Sequence, residues 1–389
     1  MYIGRQSIRV LNSSINSTRH CRHTSINRPR IHVPTPFPVI ESCPSPTCQS
    51  SPAPADLDID REQSLNGTMA AYSEQVLVCT GRENWKSKIE DEEGEHGDFV
   101  RQLRALLGRG GKFCDVSLIP KTHHAPPVSS RLSLSLCTSV YVGDLKRPVR
   151  PRYIPTSSPK LKPPNNNFYQ SYNNIMLTNS SFPPANLSPS VTSAYLLPSF
   201  RYIPSLPKSK TSIENFVKGF LQPAQLHSVH NVLPQELKEA LTKDPSLQTQ
   251  FLGVRDVDDI LVLICGHGGR DYRCGAMGPL LRSEFEEKLQ TKGIHVTTSP
   301  SSQDMKGKSV YSAQVGLISH IGGHKYAGNI IIYIPPSFKG NPLAGQGIWY
   351  GRVGPEHVEG IIQETILGGK VISSMFRGGI KQGGEIIRL

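Results

Sequence analysis

The chain has 389 residues, of which 37% are hydrophobic, with 34 Gly and 32 Pro. That apolar share is below the roughly 45–50% of compact domains, so about two globular units diluted by unstructured segments are expected. The net charge of +12 is concentrated in residues 1–40, with six Arg and no acid, and in residues 116–165, with eight basic residues against the single Asp144. The basic surplus thus sits in Pro- and Ser-rich stretches rather than on a folded face, which excludes a basic nucleic-acid footprint. The longest apolar run, Ile260 to Cys265, is too short to cross a bilayer, and eight scattered Cys do not make a disulfide scaffold.

In chain order, residues 1–45 have the composition of a mitochondrial presequence: Arg5, Arg9, Arg19, Arg22, Arg28 and Arg30 precede the first acid, Glu41. The plainer alternative is a basic tail with no address. Residues 46–71 read as a linker, and the Pro/Ser-rich surroundings of Cys43 and Cys48 point to solvated thiols rather than ligands. A smaller α/β domain is expected over 72–210. It comprises a strand in SEQVLVCTG, a helix in DFVRQLRALLGRGG stopped by glycines, and two strands in NNIMLTNSSFPP and SAYLLPSFRYIP. Residues 116–171 interrupt it with a basic, Pro-rich stretch, read as a disordered insert or as a retained intron.

A second α/β domain is expected over 211–389. Short helices in IENFVKGFLQP and LPQELKEALTKD precede a buried-type strand, DDILVLIC. After Cys274, GPLLRSEFEEKLQTKG reads as an amphipathic helix with Leu281, Phe285 and Leu289 on one face. Three strands follow in SAQVGLIS, NIIIYIPP and GIWYGRV, then a helix from Pro355 to Gly368. The order strand–helix–strand–strand–strand–helix is compatible with a thioredoxin-like domain.

Two short-spaced pairs of metal-ligand types lie in loops after strands of this domain. Cys265 and Cys274 are separated by eight residues of a Gly-rich loop, and His320 and His324 by three, with Gly322-Gly323 favouring a tight loop over a helical pair. Two thiols and two imidazoles suit a tetrahedral zinc, although structural zinc sites favour closer Cys spacing. They also suit a [2Fe–2S] cluster, whose sulfides accept hydrogen bonds from a Gly-rich backbone and in which two His replace two Cys on one iron. The natural division is Cys265 and Cys274 on one iron, His320 and His324 on the other. Direct thiol chemistry is disfavoured because it normally uses C-x-x-C. His267 lies inside the Cys loop and reads as solvent-exposed, with a hydrogen bond to the centre as the alternative. Trp349 and Tyr350 read as packing residues.

The stretches LICGHGGRDYRCGAMGP, VGLISHIGGHKYAGNIIIY, GIWYGRVGPEHVEGIIQETILGGKV and MFRGGI resemble the sucrase/ferredoxin-like family, with VCTGRENW, LTNSSFP and SAYLLPSFRY as N-terminal counterparts. The resemblance implies a C-terminal thioredoxin-like ferredoxin domain whose [2Fe–2S] ligands are Cys265, Cys274, His320 and His324. It further implies mitochondrial residence, a redox partner protein, and a role in electron transfer or thiol quality control. A zinc-stabilised interaction module remains the alternative.

Overall fold

The computed structural model describes residues 35, 37–108, 111–113, 174–300 and 311–389. The expected presequence up to residue 34, and the insert 116–171, lie outside the described residues. Strand β1 (Val39–Ile40) is followed by β2 (Glu74–Cys79), helix α1 (Gly94–Leu107), β3 (Ile175–Ser180), β4 (Val191–Leu197), β5 (Arg201–Pro207), α2 (Lys210–Phe216) and α3 (Gln235–Leu241). Then come β6 (Arg255–Asp256), β7 (Ile260–Cys265), α4 (Tyr272–Thr291), β8 (His295–Val296), β9 (Ser312–Ile318), β10 (Ile330–Ile334) and β11 (Gln346–Tyr350). The chain closes with α5 (Pro355–Ile361), β12 (Val371–Ile372), β13 (Phe376–Lys381) and β14 (Ile386–Ile387).

A single sheet runs in the order β14-β13-β11-β10-β7-β9-β3-β2-β4-β5-β6, with β8 on β9. Its order is a repeat. In β2–α1–β3–β4–β5–α2–β6 the first two strands pair in parallel, and each later strand adds antiparallel on the far side of the first. In β7–α4–β9–β10–β11–α5–β13 the same pairings recur in the same sequence. Even the second helices match, since α2 runs into a π-helical turn at Val217–Leu221 and α5 into one at Ile362–Leu367.

The halves meet at β3 and β9, where Ser180 faces Ile318, the last residue of each strand. Around this point the backbone bonds Ser181 N to Leu317 O and Ser319 N to Asn179 O are both 2.9 Å. The hydroxyls of Ser319 and Ser181 accept from Asn179 N and Leu317 N, both at 3.0 Å. Exchanging the halves exchanges these bonds, so a pseudo-twofold axis passes through the seam. By this topology α2 and β6 return to the first half, and the halves divide between Asp256 and Ile260, well beyond residue 210.

The α/β character expected from sequence is present; β7 and β10 are buried along their whole length and β9 along all but its first residue. Leu281, Phe285 and Leu289 of α4 are fully buried, as their spacing requires. Three local differences stand out. SAYLLPSFRYIP is a hairpin of β4 and β5, turned at 198–200 with Phe200 at φ 52°, rather than one strand. Helix α4 begins at Tyr272 and so contains Cys274, because Asp271 caps it by accepting from Arg273 N at 3.1 Å. Residues 37–51 are tied to the fold, although most of 41–51, Cys48 included, stay exposed as expected of a linker. Phe37 is buried edge-on to Phe376, β1 pairs with β12, and Cys43 Sγ donates to His357 O at 3.4 Å. Thr47 N and Oγ1 donate to Glu359 at 2.8 and 2.6 Å, and Ser51 N donates to Glu284. Buried carboxylates with open acceptor sites recruit this polar strap. No described helix is long and apolar enough to cross a membrane.

Candidate metal centre

Cys265 is the last residue of β7, and its backbone N–H donates to Asn329 O at 2.9 Å. Cys274 is the third residue of α4. The helix reaches the Cys265 loop because Gly275 and Gly278 lack side chains: a Cβ on Gly275 would lie 2.7 Å from Gly268 Cα. Both thiols are 1% exposed and hydrogen-bonded to each other. That bond from Cys274, joined by the His320 ring and the His267 backbone N–H, holds the Cys265 thiol well below the ordinary range against the cost of burial. The same bond and burial push Cys274 up, as expected when two close thiols share one charge.

His320 and His324 flank a tight turn in which Gly322 and Gly323 take φ of 88° and 73°, the left-handed region that glycine enters without penalty. Their rings lie 5.4 Å apart, centroid to centroid. His324 Nε2 stands 3.9 Å from Asp271, while its Nδ1 is buried without a hydrogen-bond partner. Cys265 therefore meets two of the other expected ligands, Cys274 and His320, and His324 neighbours His320. Among the described residues no group of three or more His, Cys, Asp and Glu is placed to hold a metal ion.

His267 is buried, contrary to the solvent-exposed reading. Its Nε2 faces Trp85 O at 3.1 Å and Lys86 O at 2.9 Å, and its Nδ1 accepts from His320 N at 3.0 Å. Two carbonyls at Nε2 and an N–H at Nδ1 assign the neutral Nε2–H tautomer, and burial pulls its pKa down. Trp85 packs edge-on to this ring, and Asn84 accepts from Gly269 N at 2.9 Å. The first half thus walls the Cys loop with residues 84–86. A cleft of about 280 Å³ lined by Lys88, Arg104, Arg270 and Ser319 leads to His267 and His320.

Sequence reasoning passed over Arg377 and Asn329. Arg377 lies inside β13, 1% exposed, and Asn329 precedes β10, fully buried. An Arg within MFRGGI, in an otherwise apolar strand, was the available signal.

Residues 65–378 match the sucrase/ferredoxin-like family, a span that holds both ligand loops and Arg377. The chain belongs to that family. Altered inheritance of mitochondria protein 32 of Meyerozyma guilliermondii is 29% identical over 350 residues, covering 87% of this chain and 94% of the relative. The protein of that name from Clavispora lusitaniae is 44% identical over 171 residues, 43% of this chain and 52% of the relative. Actin patches distal protein 1 of Saccharomyces cerevisiae is 31% identical over 140 residues, 36% of this chain and 40% of the relative. No solved structure matches the chain.

Proposed function

We propose that this family member holds a [2Fe–2S] cluster through Cys265, Cys274, His320 and His324, and serves in mitochondria as a one-electron carrier or redox sensor on a thioredoxin-like scaffold. The observation that carries the reading is the two-by-two grouping of the donors. Two buried thiols touch, the His320 ring meets Cys265 and has the His324 ring beside it, and His324 Nδ1 is a buried lone-pair or N–H position with no protein partner. A tetrahedral zinc needs all four donors around one point, whereas a two-iron cluster takes them in pairs. Such a cluster, when bound, accepts and returns one electron.

The chain's own residues do the rest. Cys265 is held toward the thiolate form that ligation requires. His267 fixes the backbone before His320 by accepting its N–H, and Asp271 caps α4 so that Cys274 faces Cys265. Trp85, with the β7 and β10 cores, keeps water from the thiol side, while His320 and His324 stay nearer the surface. The names of the two altered-inheritance relatives support a mitochondrial setting.

Anaerobic purification with iron, sulfide and zinc analysis and a visible spectrum tests this. Two irons and two sulfides per chain, with absorption that bleaches on dithionite, are expected. A colourless protein with one zinc would overturn it in favour of a structural module.

A further inference from the structure

Arg377 is a buried guanidinium with an unusual set of partners. Nη1 donates to Asn329 Oδ1 at 2.7 Å and Gly322 O at 3.1 Å, Nη2 to Thr68 O at 2.9 Å, and Nε to Thr68 Oγ1 at 3.0 Å. Its plane lies over the rings of Tyr326 and Trp349, each with a centroid 5.6 Å away. Every one of these groups is neutral. No carboxylate among the described residues pairs with it, and the ionisable groups acting on it are Tyr326, Cys265 and Cys274. A buried charge is normally paired, because leaving it alone costs several kcal/mol. Two of its partners, Asn329 and Gly322, border the Cys265 strand end and the His320–His324 turn.

The surrounding loops are shaped around this side chain. A Cβ on Gly323, between the two His, would lie 2.6 Å from Arg377 Nη2, and one on Gly351 would lie 3.0 Å from Arg377 Cδ. Asn329 completes the link. Its backbone carbonyl holds Cys265 N, its Oδ1 accepts from Arg377, and its Nδ2 donates to Gly323 O at 2.9 Å. One cation therefore connects the end of β7 to the turn that carries His320 and His324.

We infer that Arg377 is a fixed cation beside the Cys–His centre, a positioning residue that favours the negative charge an added electron brings there and so raises the electron affinity of the group the centre holds. This rests on the cluster reading above. Adding an electron makes the centre more negative, so a nearby cation favours the reduced form, and removing that cation lowers the midpoint potential. A role confined to hydrogen bonding would instead depend on the guanidinium fork, which Lys cannot reproduce.

The test compares full-length wild type, Arg377→Lys and Arg377→Gln, each purified anaerobically, by iron content and midpoint potential at one pH and ionic strength. Arg377→Gln should disfavour reduction at least tenfold, a drop of 59 mV or more for a one-electron couple, while Arg377→Lys stays within that margin of wild type. An unchanged potential in Arg377→Gln, or an equal drop in Arg377→Lys, overturns the inference and leaves the cluster reading intact. If Arg377→Gln does not fold, Asn329→Asp takes its place, since a carboxylate at the same position pairs the guanidinium. It should lower the potential, and no drop counts against the inference. Wild type without iron overturns both readings.

Discussion

The two halves of the sheet share one topology and diverge most where their first strands end. Cys79 ends β2 as Cys265 ends β7, and Cys79 is paired across to Ser180 as Cys265 is to Ile318, the two residues that meet at the seam. Two residues beyond these, the first half has Phe182 and the second His320. Phe182 is buried against Gly316, where a Cβ would meet its ring at 2.7 Å, so the first half fills with an aromatic ring the place that the second gives to an imidazole. The thiols follow suit. Burial pushes Cys79 up, opposed only by a hydrogen bond with Ser180, whereas three hydrogen-bonding partners hold Cys265 down. A thiol at the end of a buried strand is thus not a ligand by virtue of the scaffold. The loops decide, and among the described residues the second half alone joins its strand-ending Cys to a Gly-rich loop with a second Cys and the H-x3-H pair. The first half contributes instead the wall of residues 84–86 that closes on His267.

The sharpest way to break this comparison is to remove each thiol in turn. Cys265→Ser should abolish iron retention in the purified protein. Cys79→Ala should keep full iron content and lose about 1–2 kcal/mol of stability in denaturant titration, the cost of a small buried cavity. Loss of iron from Cys79→Ala would mean that the halves are not divided as described.

A second contrast is the strap, which binds only the second half through β12, α4 and α5. Phe37→Ala should destabilise the protein by roughly 3–5 kcal/mol, as for other buried Phe truncations. A chain starting at residue 46 should melt well below one starting at residue 36. Equal melting temperatures would show that the strap contributes nothing.

The contact between halves is the next target. His267→Ala strands the carbonyls of Trp85 and Lys86 and the His320 N–H, and should cost about 1–3 kcal/mol. It should also raise hydrogen exchange at residues 84–86, and unchanged exchange there would remove His267 from the interface.

A last contrast concerns the start of the same two strands, where Glu74 stands in β2 and Ile260 in β7. Burial pushes Glu74 up to about 7, against hydrogen bonds from Ser199 Oγ and N. The folded chain then keeps a proton that the unfolded chain releases above about pH 4.5. Stability from this group is present at acid pH and is lost as pH rises to about 7, at about 1.4 kcal/mol per pKa unit. Glu74→Gln should flatten that slope of denaturation free energy against pH, and an unaltered slope would assign the pH dependence elsewhere.

Much of this architecture is legible in the residues. Continuous apolar runs announce β7 and β10, and the i, i+4 spacing of Leu281, Phe285 and Leu289 announces the buried face of α4. The four candidate ligands stand out because their spacings are short and their loops Gly-rich. What stays hidden is non-local. The strap reads as linker because Pro and Ser carry no periodicity, and its partners, Glu359 and Glu284, lie hundreds of residues away. β13 is masked by its Gly-Gly pair, which reads as a breaker while it admits Met69 beside the strand. Arg377 is hidden for the same reason, since its value depends on Asn329, Thr68 and the thiols brought to it by folding. The repeat is obscured because the halves keep common pairings while little beyond a strand-ending Cys and the paired Ser181 and Ser319 remains alike.

The central claim is that two Cys and two His of the second half hold a two-iron cluster. Pulsed electron paramagnetic resonance on dithionite-reduced wild type, His320→Ala and His324→Ala tests it most directly. The account predicts couplings to two imidazole nitrogens in wild type, with the pattern lost in either variant. A wild-type signal with no imidazole nitrogen coupling, or a colourless protein holding a single zinc, would contradict it.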